Sequence, residues 1–169
     1  MPDPIAAAGV ADPGAPADTR GFVDEIRGAL ASGRVLDRPE ELKSYECDGL
    51  SAYRQVPLAV AIPDRVEEVQ ELLGICRRRG IPVVARGSGT GLSGGALPHG
   101  GGLLLSLARF NRVLEVDPVQ RTARVQPGVR NLAVSEAAAP HGLYYAPDPS
   151  SQIACSIGGN IAENSGGVH

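Results

Sequence analysis

A loop dense in glycine is the first stretch of this sequence that could do chemistry. Residues 82–95 read PVVARGSGTGLSGG, and the nine residues from 87 to 95, here called the glycine loop, contain five glycines. Ordering glycine costs more backbone entropy than ordering any other residue. A loop that keeps so many glycines indicates that another group approaches its backbone closely. The loop therefore predicts a bound ligand.

Three classes of ligand site compete for the glycine loop. It contains no lysine followed by serine or threonine, which excludes a P-loop of the GxxxxGK[ST] type. Residues 89–94 match the GxGxxG fingerprint of Rossmann dinucleotide-binding folds, and Glu115 lies at about the right distance beyond it. That fingerprint has to open a helix, whereas the sequence continues as GALPHGGG, whose proline and glycines oppose a helix.

The third class is a diphosphate cradle between two strands, in which successive backbone N–H groups point into a concavity. Such a concavity binds an anion without basic side chains. The glycines then leave room for the phosphates because no Cβ atoms hold the backbone away from them. Arg86 supplies the positive charge next to the loop. The sequence favours this cradle and leaves the Rossmann match as an alternative.

A second glycine cluster, CSIGGNIAENSGG, covers residues 155–167. Gly158, Gly159 and Asn160 are predicted at the start of a short helix, where unpaired N–H groups and the helix dipole accept anions. Asn160 and Asn164 are four residues apart and are predicted to share a helix face. Two glycine clusters in one small domain fit a single long ligand that touches both.

Composition limits the partners of this chain. Its 169 residues, 43% hydrophobic and 21% charged, indicate a globular domain with one sizeable core. A net charge of −3, four per cent aromatic residues and no tryptophan predict no nucleic-acid partner. No segment is long and apolar enough to predict a membrane span. The three cysteines form no CxxC pair, which predicts free thiols in a cytoplasmic protein.

The first 18 residues are interrupted by prolines and have neither the basic nor the apolar region of a signal peptide. They predict a disordered tail, residues 1–18, before a domain that covers residues 19–169. Apolar side chains four apart in residues 20–32 then predict a helix that Gly33 closes.

A buried strand at residues 57–62 and a capped helix follow. Asp64 is predicted to be the N-cap, with Glu67 three residues later as in a capping box, and Gly80 is predicted to end the helix. Arginines fill the last turn, residues 77–79, and are predicted to be a solvated helix end. The apolar face is predicted to be Val66, Val69, Leu72, Leu73 and Cys76.

Further strands are predicted at residues 81–86, 102–107, 112–117 and 122–127. Asp117 and Pro118 supply the turn of a hairpin between the last two strands. A helix that ends before Pro140 is predicted within residues 129–140, and another is predicted from about Ser156. Strands and helices alternate until the hairpin intervenes, so we expect an α+β fold and not a regular doubly wound sheet.

Several motifs, taken together, carry a resemblance. These are YECDGLSAYRQVPLAVAIPDRVEEV, PVVARGSGTGLSGGALP, ARVQPGVRNLAVSEAAAPHGLYYAPDPSS and CSIGGNIAENSGGVH. Over residues 40–169 they resemble the flavin-binding half of the vanillyl-alcohol-oxidase/PCMH superfamily. Within it they are most similar to the FAD-linked subunit of glycolate oxidase and to D-lactate and D-2-hydroxyglutarate dehydrogenases. The resemblance implies a PCMH-type fold, with two small α/β subdomains around FAD and the second incomplete here.

The resemblance also implies which residues contact FAD. The backbone amides of one group would hold the pyrophosphate, with two further loop residues beside them: Gly87, Ser88, Gly89, Thr90 and Gly91, then Ser93 and Gly94. A second group would line the approach to the isoalloxazine ring: Pro147, Asp148 and Ser150. A third group would contact the ribityl chain and the diphosphate: Ser156, Gly158, Gly159, Asn160, Asn164 and Gly167.

Some members of the superfamily attach FAD through a histidine in the first glycine loop. The loop contains no histidine here, so we expect non-covalent FAD. His99 and His141 are predicted to be surface or structural residues, and Cys155 is not predicted to attach the flavin. His169 matches the family motif near the flavin and is not expected to be the catalytic base.

The resemblance further implies a reaction in which a 2-hydroxy acid such as glycolate or D-lactate gives up a hydride to flavin N5. A base takes the hydroxyl proton, and the product is the 2-oxo acid. The family places the base and the metal ligands in a C-terminal domain, so we predict neither catalytic residue nor metal site in this chain.

We therefore expect the N-terminal FAD-binding portion of a longer oxidoreductase that also contacts other oxidase subunits. An NAD(P)-type binding module and an inactive truncated fragment remain the alternatives.

Overall fold

The computed structural model describes residues 18–31 and 34–169. Residues 1–17 of the predicted tail, and Gly33 as the predicted end of the first helix, lie outside the described residues. Helix α1, Thr19–Gly28, buries Phe22, Val23 and Ile26. The helix is shorter than the predicted 20–32, and Leu30 is buried in the core from beyond its last turn.

A four-stranded sheet forms the larger core. Its strands are β1 (Val35–Leu36), β2 (Ala59–Ala61), β3 (Val83–Arg86) and β4 (Leu103–Ser106), in the spatial order β1-β2-β4-β3. Strands β2, β4 and β3 are parallel, and β1 is antiparallel to β2. The continuous apolar sequences of β2 and β4 follow from this position, because both strands are covered on both faces.

Helices α1 and α3 (Val66–Arg79) cover one face of the sheet with side chains such as Phe22, Leu72 and Ile75. On the other face, Leu42 from the short helix α2 (Pro39–Leu42) packs with Val60 and Leu104. A 3₁₀ turn, Lys43–Tyr45, continues α2. This second face matters for the site, since the chain at residues 45–49 meets the glycine loop there.

The start of α3 differs from its prediction. Arg65, not Asp64, is the N-cap, and it makes no side-chain cap. Glu68, not Glu67, reaches back, because its Oε2 accepts a hydrogen bond of 3.0 Å from the Asp64 amide. Its Oε1 accepts from the Ala31 amide at 3.2 Å, so this buried carboxylate ties α3 to the end of α1. The N-cap lies one residue later than predicted, and the glutamate that bonds back to the start of the helix is therefore also one residue later.

The apolar face of α3 also differs in part. Leu72, Ile75 and Cys76 are buried, whereas Val66 and Leu73 are 57% and 44% exposed. The helical period of 3.6 residues brings positions i, i+3 and i+4 onto one face, and the buried residues Glu68, Leu72, Ile75 and Cys76 form that face. Gly80, with φ of +66°, ends the helix as predicted.

A smaller unit follows β4. Strands β5 (Val113–Asp117) and β6 (Thr122–Val125) form the predicted antiparallel hairpin. The Asp117 Oδ1 atom holds its turn by accepting 2.9 Å hydrogen bonds from the amides of Val119 and Gln120. Helix α4 (Asn131–Ala138) ends before Pro140, as predicted, and begins two residues after the predicted start at Val129. Pro140 lies in a 3₁₀ turn, Ala139–His141.

Helix α5 (Ile157–Glu163) begins after Ser156, as predicted. Val129, Val134 and Ile157 form a separate apolar cluster that joins α4 and α5 to the hairpin. The mixed architecture confirms the predicted α+β class. In the part of the chain that the structure describes, no helix has the length and apolar character to cross a bilayer.

Candidate functional site

The glycine loop lies in an irregular connection between two parallel neighbours, β3 and β4. Residues 87–102 cross from the end of one strand to the start of the next without any helix. The GxGxxG match at residues 89–94 is therefore not followed by a helix, which agrees with the prediction from the sequence. The Rossmann alternative lacks the helix N-terminus on which its pyrophosphate site depends.

The glycine loop lines a cavity of about 490 Å³ together with residues 149–151 and one face of α5. This volume is in the range of small-molecule and cofactor sites. The two glycine clusters of the sequence thus lie on one cavity. The predicted residues that line it are Gly87, Ser88, Gly89, Thr90, Gly91, Ser93, Ser150, Ser156, Gly159 and Asn160.

The backbone amides of residues 87–91 are the main hydrogen-bond donors of the loop. Among the described residues, no protein acceptor pairs with any of these five N–H groups. Backbone donors in folded proteins nearly always have a partner, either in the protein or outside it. Consecutive unpaired donors beside a cavity are the arrangement that binds anionic oxygens.

The loop also has no space for side chains at its start. A Cβ atom on Gly87 would overlap the hydroxyl group of Ser156 across the cavity wall. Gly89 has φ of +68°, and a Cβ there would lie 2.6 Å from Nε of Arg86. The glycines at these two positions let the loop backbone pack directly against its neighbours.

Two buried polar atoms of the second glycine cluster have no hydrogen-bond partner in the described part of the chain. They are Ser156 Oγ and Asn160 Nδ2, and both residues line the cavity. An unpaired buried donor costs about 1–3 kcal/mol, which a ligand that accepts hydrogen bonds would recover. The cavity therefore presents donors from two segments of the chain, and these donors fit a diphosphate-bearing cofactor.

The expectation that the amides at the start of α5 are unpaired is wrong for two of the three residues, Gly158 and Asn160. The amide of Gly158 donates to the Pro127 carbonyl at 2.8 Å, and the amide of Asn160 donates to Ser156 O at 2.9 Å, so neither amide is unpaired. A helix of only seven residues also has little dipole to offer an anion. The side chains of Ser156 and Asn160 supply the donors here.

Asn164 was predicted to share a helix face with Asn160, and this is also wrong. It is the C-cap of α5 and has a left-handed conformation with φ of +53°. Further predicted contact residues are absent from the cavity lining: Gly94, Pro147, Asp148, Gly158, Asn164 and Gly167.

Asp148 and Gly167 lie together beside the cavity. The carboxylate Oδ1 of Asp148 accepts hydrogen bonds from the amides of Val168, at 3.1 Å, and His169, at 3.4 Å. Gly167 has φ of +77° and packs against the backbone of residues 148–149, which leaves no room for a Cβ. Since residues 149–151 line the cavity, this cluster supports one of its walls.

Glu163 is a residue of the site that sequence reasoning missed. Its Oε2 accepts a hydrogen bond from Ser93 Oγ, so the end of α5 is joined to the glycine loop. It lines the cavity and follows Asn160 by three residues, on the same helix face. That spacing is the signal that could have identified it.

The remaining candidates behave as structural residues. His99 Nδ1 accepts from the Gly101 amide at 3.2 Å, and His141 is exposed. Cys155 lines the cavity but is 3% exposed, and all three cysteines are unpaired.

Comparison with known proteins decides the family. The sequence profile of FAD binding domains matches residues 57–169. This chain belongs to the FAD binding domain family. The FAD prediction is thereby confirmed, and the donors of the cavity fit that cofactor. The loop that would hold it offers no histidine for a covalent bond.

Relatives and solved structures agree with this assignment. The chain is 65% identical over 135 residues to glycolate oxidase subunit GlcD of Escherichia coli (strain K12). The matched residues make up 80% of this chain and 27% of that protein. This chain is 41% identical over 143 residues to D-2-hydroxyglutarate dehydrogenase of Xanthomonas citri pv. viticola, covering 85% and 30%. The fold matches the crystal structure of p-cresol methylhydroxylase with a TM-score of 0.66 and 24% identity, covering 79% and 28%.

The chain thus has the predicted PCMH-type fold. It spans about a quarter to a third of the length of the curated relatives it matches.

Proposed function

We propose that this chain holds FAD non-covalently in an oxidoreductase that oxidises a 2-hydroxy acid to the 2-oxo acid. When bound, FAD would accept at its N5 atom the hydride from the substrate Cα. The residues of this chain would bind the cofactor and orient it. The catalytic base and the pocket for the substrate side chain are proposed to lie outside residues 18–169.

The observation that carries this proposal is the meeting of the two glycine clusters on one cavity. Residues 87–91 supply unpaired backbone donors, and Ser156 and Asn160 supply unpaired side-chain donors from the start of α5. A ligand with two adjacent phosphates and a hydroxylated chain matches this distribution, because its acceptors are spread along its length.

We assign the diphosphate to the glycine loop, and we assign contacts to the ribityl chain and to the diphosphate to the α5 side. The approach to the isoalloxazine ring is assigned to residues 147–150. The full proposed set is Gly87, Ser88, Gly89, Thr90, Gly91, Ser93, Gly94, Pro147, Asp148, Ser150, Ser156, Gly158, Gly159, Asn160, Asn164 and Gly167. Those outside the lining, such as Gly158 against Pro127, would act by supporting the residues that touch FAD.

The relatives support the substrate class. A glycolate oxidase subunit and a D-2-hydroxyglutarate dehydrogenase are both named for 2-hydroxy acids. The first is named as a subunit, which supports the proposal that further oxidase subunits bind this protein. We also propose a cytoplasmic location, which the three unpaired cysteines support.

Titration of the flavin-free intact protein tests the cofactor. We expect saturable, stoichiometric binding of FAD and no binding of NAD. NAD binding without FAD binding would favour the dinucleotide module of the Rossmann type, and no binding of either would favour an inactive chain.

Anaerobic mixing of the FAD-loaded protein with glycolate, D-lactate or D-2-hydroxyglutarate then tests the reaction. At least one of these acids should bleach the flavin absorbance as the cofactor is reduced. An FAD-loaded protein that no 2-hydroxy acid bleaches would contradict the proposed substrate class while leaving the cofactor assignment intact.

A further inference from the structure

Arg86 is a cation beside the FAD site that the proposed contacts leave unused. It ends β3 directly before the glycine loop, yet its residue is absent from the cavity lining. Its Nη1 donates to the Cys47 carbonyl at 2.7 Å and reaches the Tyr45 carbonyl at 3.5 Å. The guanidinium also lies 5.7 Å from the centre of the Tyr45 ring, within the range of a cation–π contact. The side chain therefore points behind the loop.

The glycine loop packs directly onto this guanidinium. A Cβ on Gly89 would lie 2.7 Å from Cζ of Arg86, so the backbone at this position rests on the planar group. Gly49 completes the contact from the other segment, since its Cβ would lie 2.7 Å from the carbonyl oxygens of both Thr90 and Gly91. Residues 45–49, the Arg86 side chain and the loop are thus stacked with no space between them.

Other restraints on the start of the loop are few. In the described part of the chain, residues 87–91 donate no backbone hydrogen bonds, and the first backbone bond beyond them joins Leu97 N to Gly94 O. A glycine-rich segment without such bonds has high conformational entropy when it is free. Ordering it on ligand binding would cost this entropy and weaken the affinity for the ligand. A fixed support behind the loop removes much of that cost before the ligand arrives.

We infer that Arg86 is a positioning residue that fixes the glycine loop in its ligand-ready shape by joining it to residues 45–47. Its charge serves two backbone carbonyls and an aromatic ring and makes no contact with phosphate. This inference rests on the proposed FAD function, because the affinity it raises is that for FAD.

A direct contact with phosphate is the competing role for this cation, and ionic strength separates the two. Attraction between an exposed cation and a diphosphate is screened by salt. The loss of such a contact would therefore matter less in high salt. A support that acts through the shape of the loop should change the affinity by the same factor at low and high ionic strength.

Arg86→Met in the intact protein removes the hydrogen bonds and keeps most of the side-chain volume. We expect the Kd for FAD to rise roughly 10- to 100-fold, as for the loss of a hydrogen bond to a charged group, and equally at both ionic strengths. In the absence of FAD, a nonspecific protease should cut residues 87–97 faster than in the wild type. Arg86→Lys keeps the charge without the planar fork, so it should restore only part of both properties.

Arg77→Met is the matched control, since Arg77 is an exposed arginine at the end of α3. It should change neither the affinity nor the cleavage rate. The inference would be overturned if Arg86→Met bound FAD with wild-type affinity, or if its loss of affinity became smaller in high salt. It would also be overturned if Arg86→Lys had fully wild-type affinity. If Arg86→Met does not fold, Arg86→Lys decides by the same criteria. A wild-type protein that fails to bind FAD would overturn the proposed function, and the protease assay would still report on the support.

Discussion

At the scale of single residues, Gly87 and Gly28 are the same residue type in opposite surroundings. Gly87 faces Ser156 across the wall of the cavity, where a Cβ would overlap the hydroxyl group. Gly28 ends α1 with no atom within 4 Å of the position a Cβ would occupy. The pair allows the role of backbone approach in the site to be separated from the general effect of adding a methyl group.

We predict that Gly87→Ala raises the Kd for FAD roughly 10- to 100-fold, because one methyl group forced into a packed wall costs about 1–3 kcal/mol. Isothermal titration of the flavin-free protein measures this change. Gly28→Ala should leave the Kd unchanged and stabilise the fold by up to about 1 kcal/mol, since alanine favours helix. Equal FAD affinity in both variants would show that the wall tolerates a side chain at position 87.

The sequence predicted the glycines of the site, but it did not predict the carboxylate of the site, Glu163. A high density of glycines can be read directly from the sequence. It indicates that the backbone needs room at those positions, whichever residues turn out to be its neighbours. Glu163 is different, because its role depends on Ser93, which lies 70 residues earlier and meets it only after α5 docks. The direction of the Arg86 side chain was unpredictable for the same reason, since the carbonyls it meets belong to residues 45–47.

At the scale of elements, the contact between α1 and α3 rests partly on one ion-pair group. Glu25 accepts hydrogen bonds from Arg79 Nε at 2.6 Å and Arg78 Nη2 at 2.9 Å. These two guanidinium groups, Arg79 first, hold the pKa of Glu25 below its ordinary value of 4.5. Two of the three arginines of the last turn of α3, Arg78 and Arg79, are therefore paired, where the sequence predicted only a solvated helix end.

The lowered pKa fixes the sign of a pH effect. A carboxyl group whose pKa is lower in the folded state stabilises the fold above its ordinary value of 4.5, and this contribution is lost as the pH falls through the lowered value. We predict that Glu25→Gln lowers the Tm slightly at neutral pH and low salt, because exposed pairs contribute little.

Thermal unfolding across pH measures this difference, which should disappear in acid and shrink in high salt. Glu71→Gln, on the exposed side of α3, is the control and should change the Tm at no pH. A Glu25→Gln difference that persists in acid would assign the effect to packing.

The elements themselves were largely predictable, and their ends were not. Apolar runs and the Asp117–Pro118 turn predicted β2 to β6 within a few residues, but no prediction covered the two-residue strand β1, Val35–Leu36. The start of α3 depends on contacts such as the hydrogen bonds that Glu68 accepts from the amides of Ala31 and Asp64. Local propensity describes where a helix can form, while such contacts decide where it begins.

At the scale of the whole molecule, the cavity lies between the four-stranded sheet with its helices and the smaller unit of hairpin, α4 and α5. The glycine loop belongs to the first unit, and Ser156, Asn160 and Glu163 belong to the second. The Ser93–Glu163 hydrogen bond and the packing of Gly87 against Ser156 join the two units at the cavity. A ligand in the cavity therefore adds contacts to both units at once.

Because FAD in this cavity would bind only the folded arrangement of both units, it should stabilise the whole molecule by mass action. We predict a stabilisation of about 2.7 kcal/mol at a free FAD concentration of about 100 times Kd, which corresponds to a rise in Tm of roughly 5 to 10 °C. Thermal unfolding of the flavin-free protein against added FAD measures it, with NAD as the control that should have no effect. Gly87→Ala should need a proportionally higher FAD concentration for the same rise. A Tm that stays constant while the titration shows bound FAD would mean that the cofactor contacts only one of the two units, or binds the unfolded chain as well.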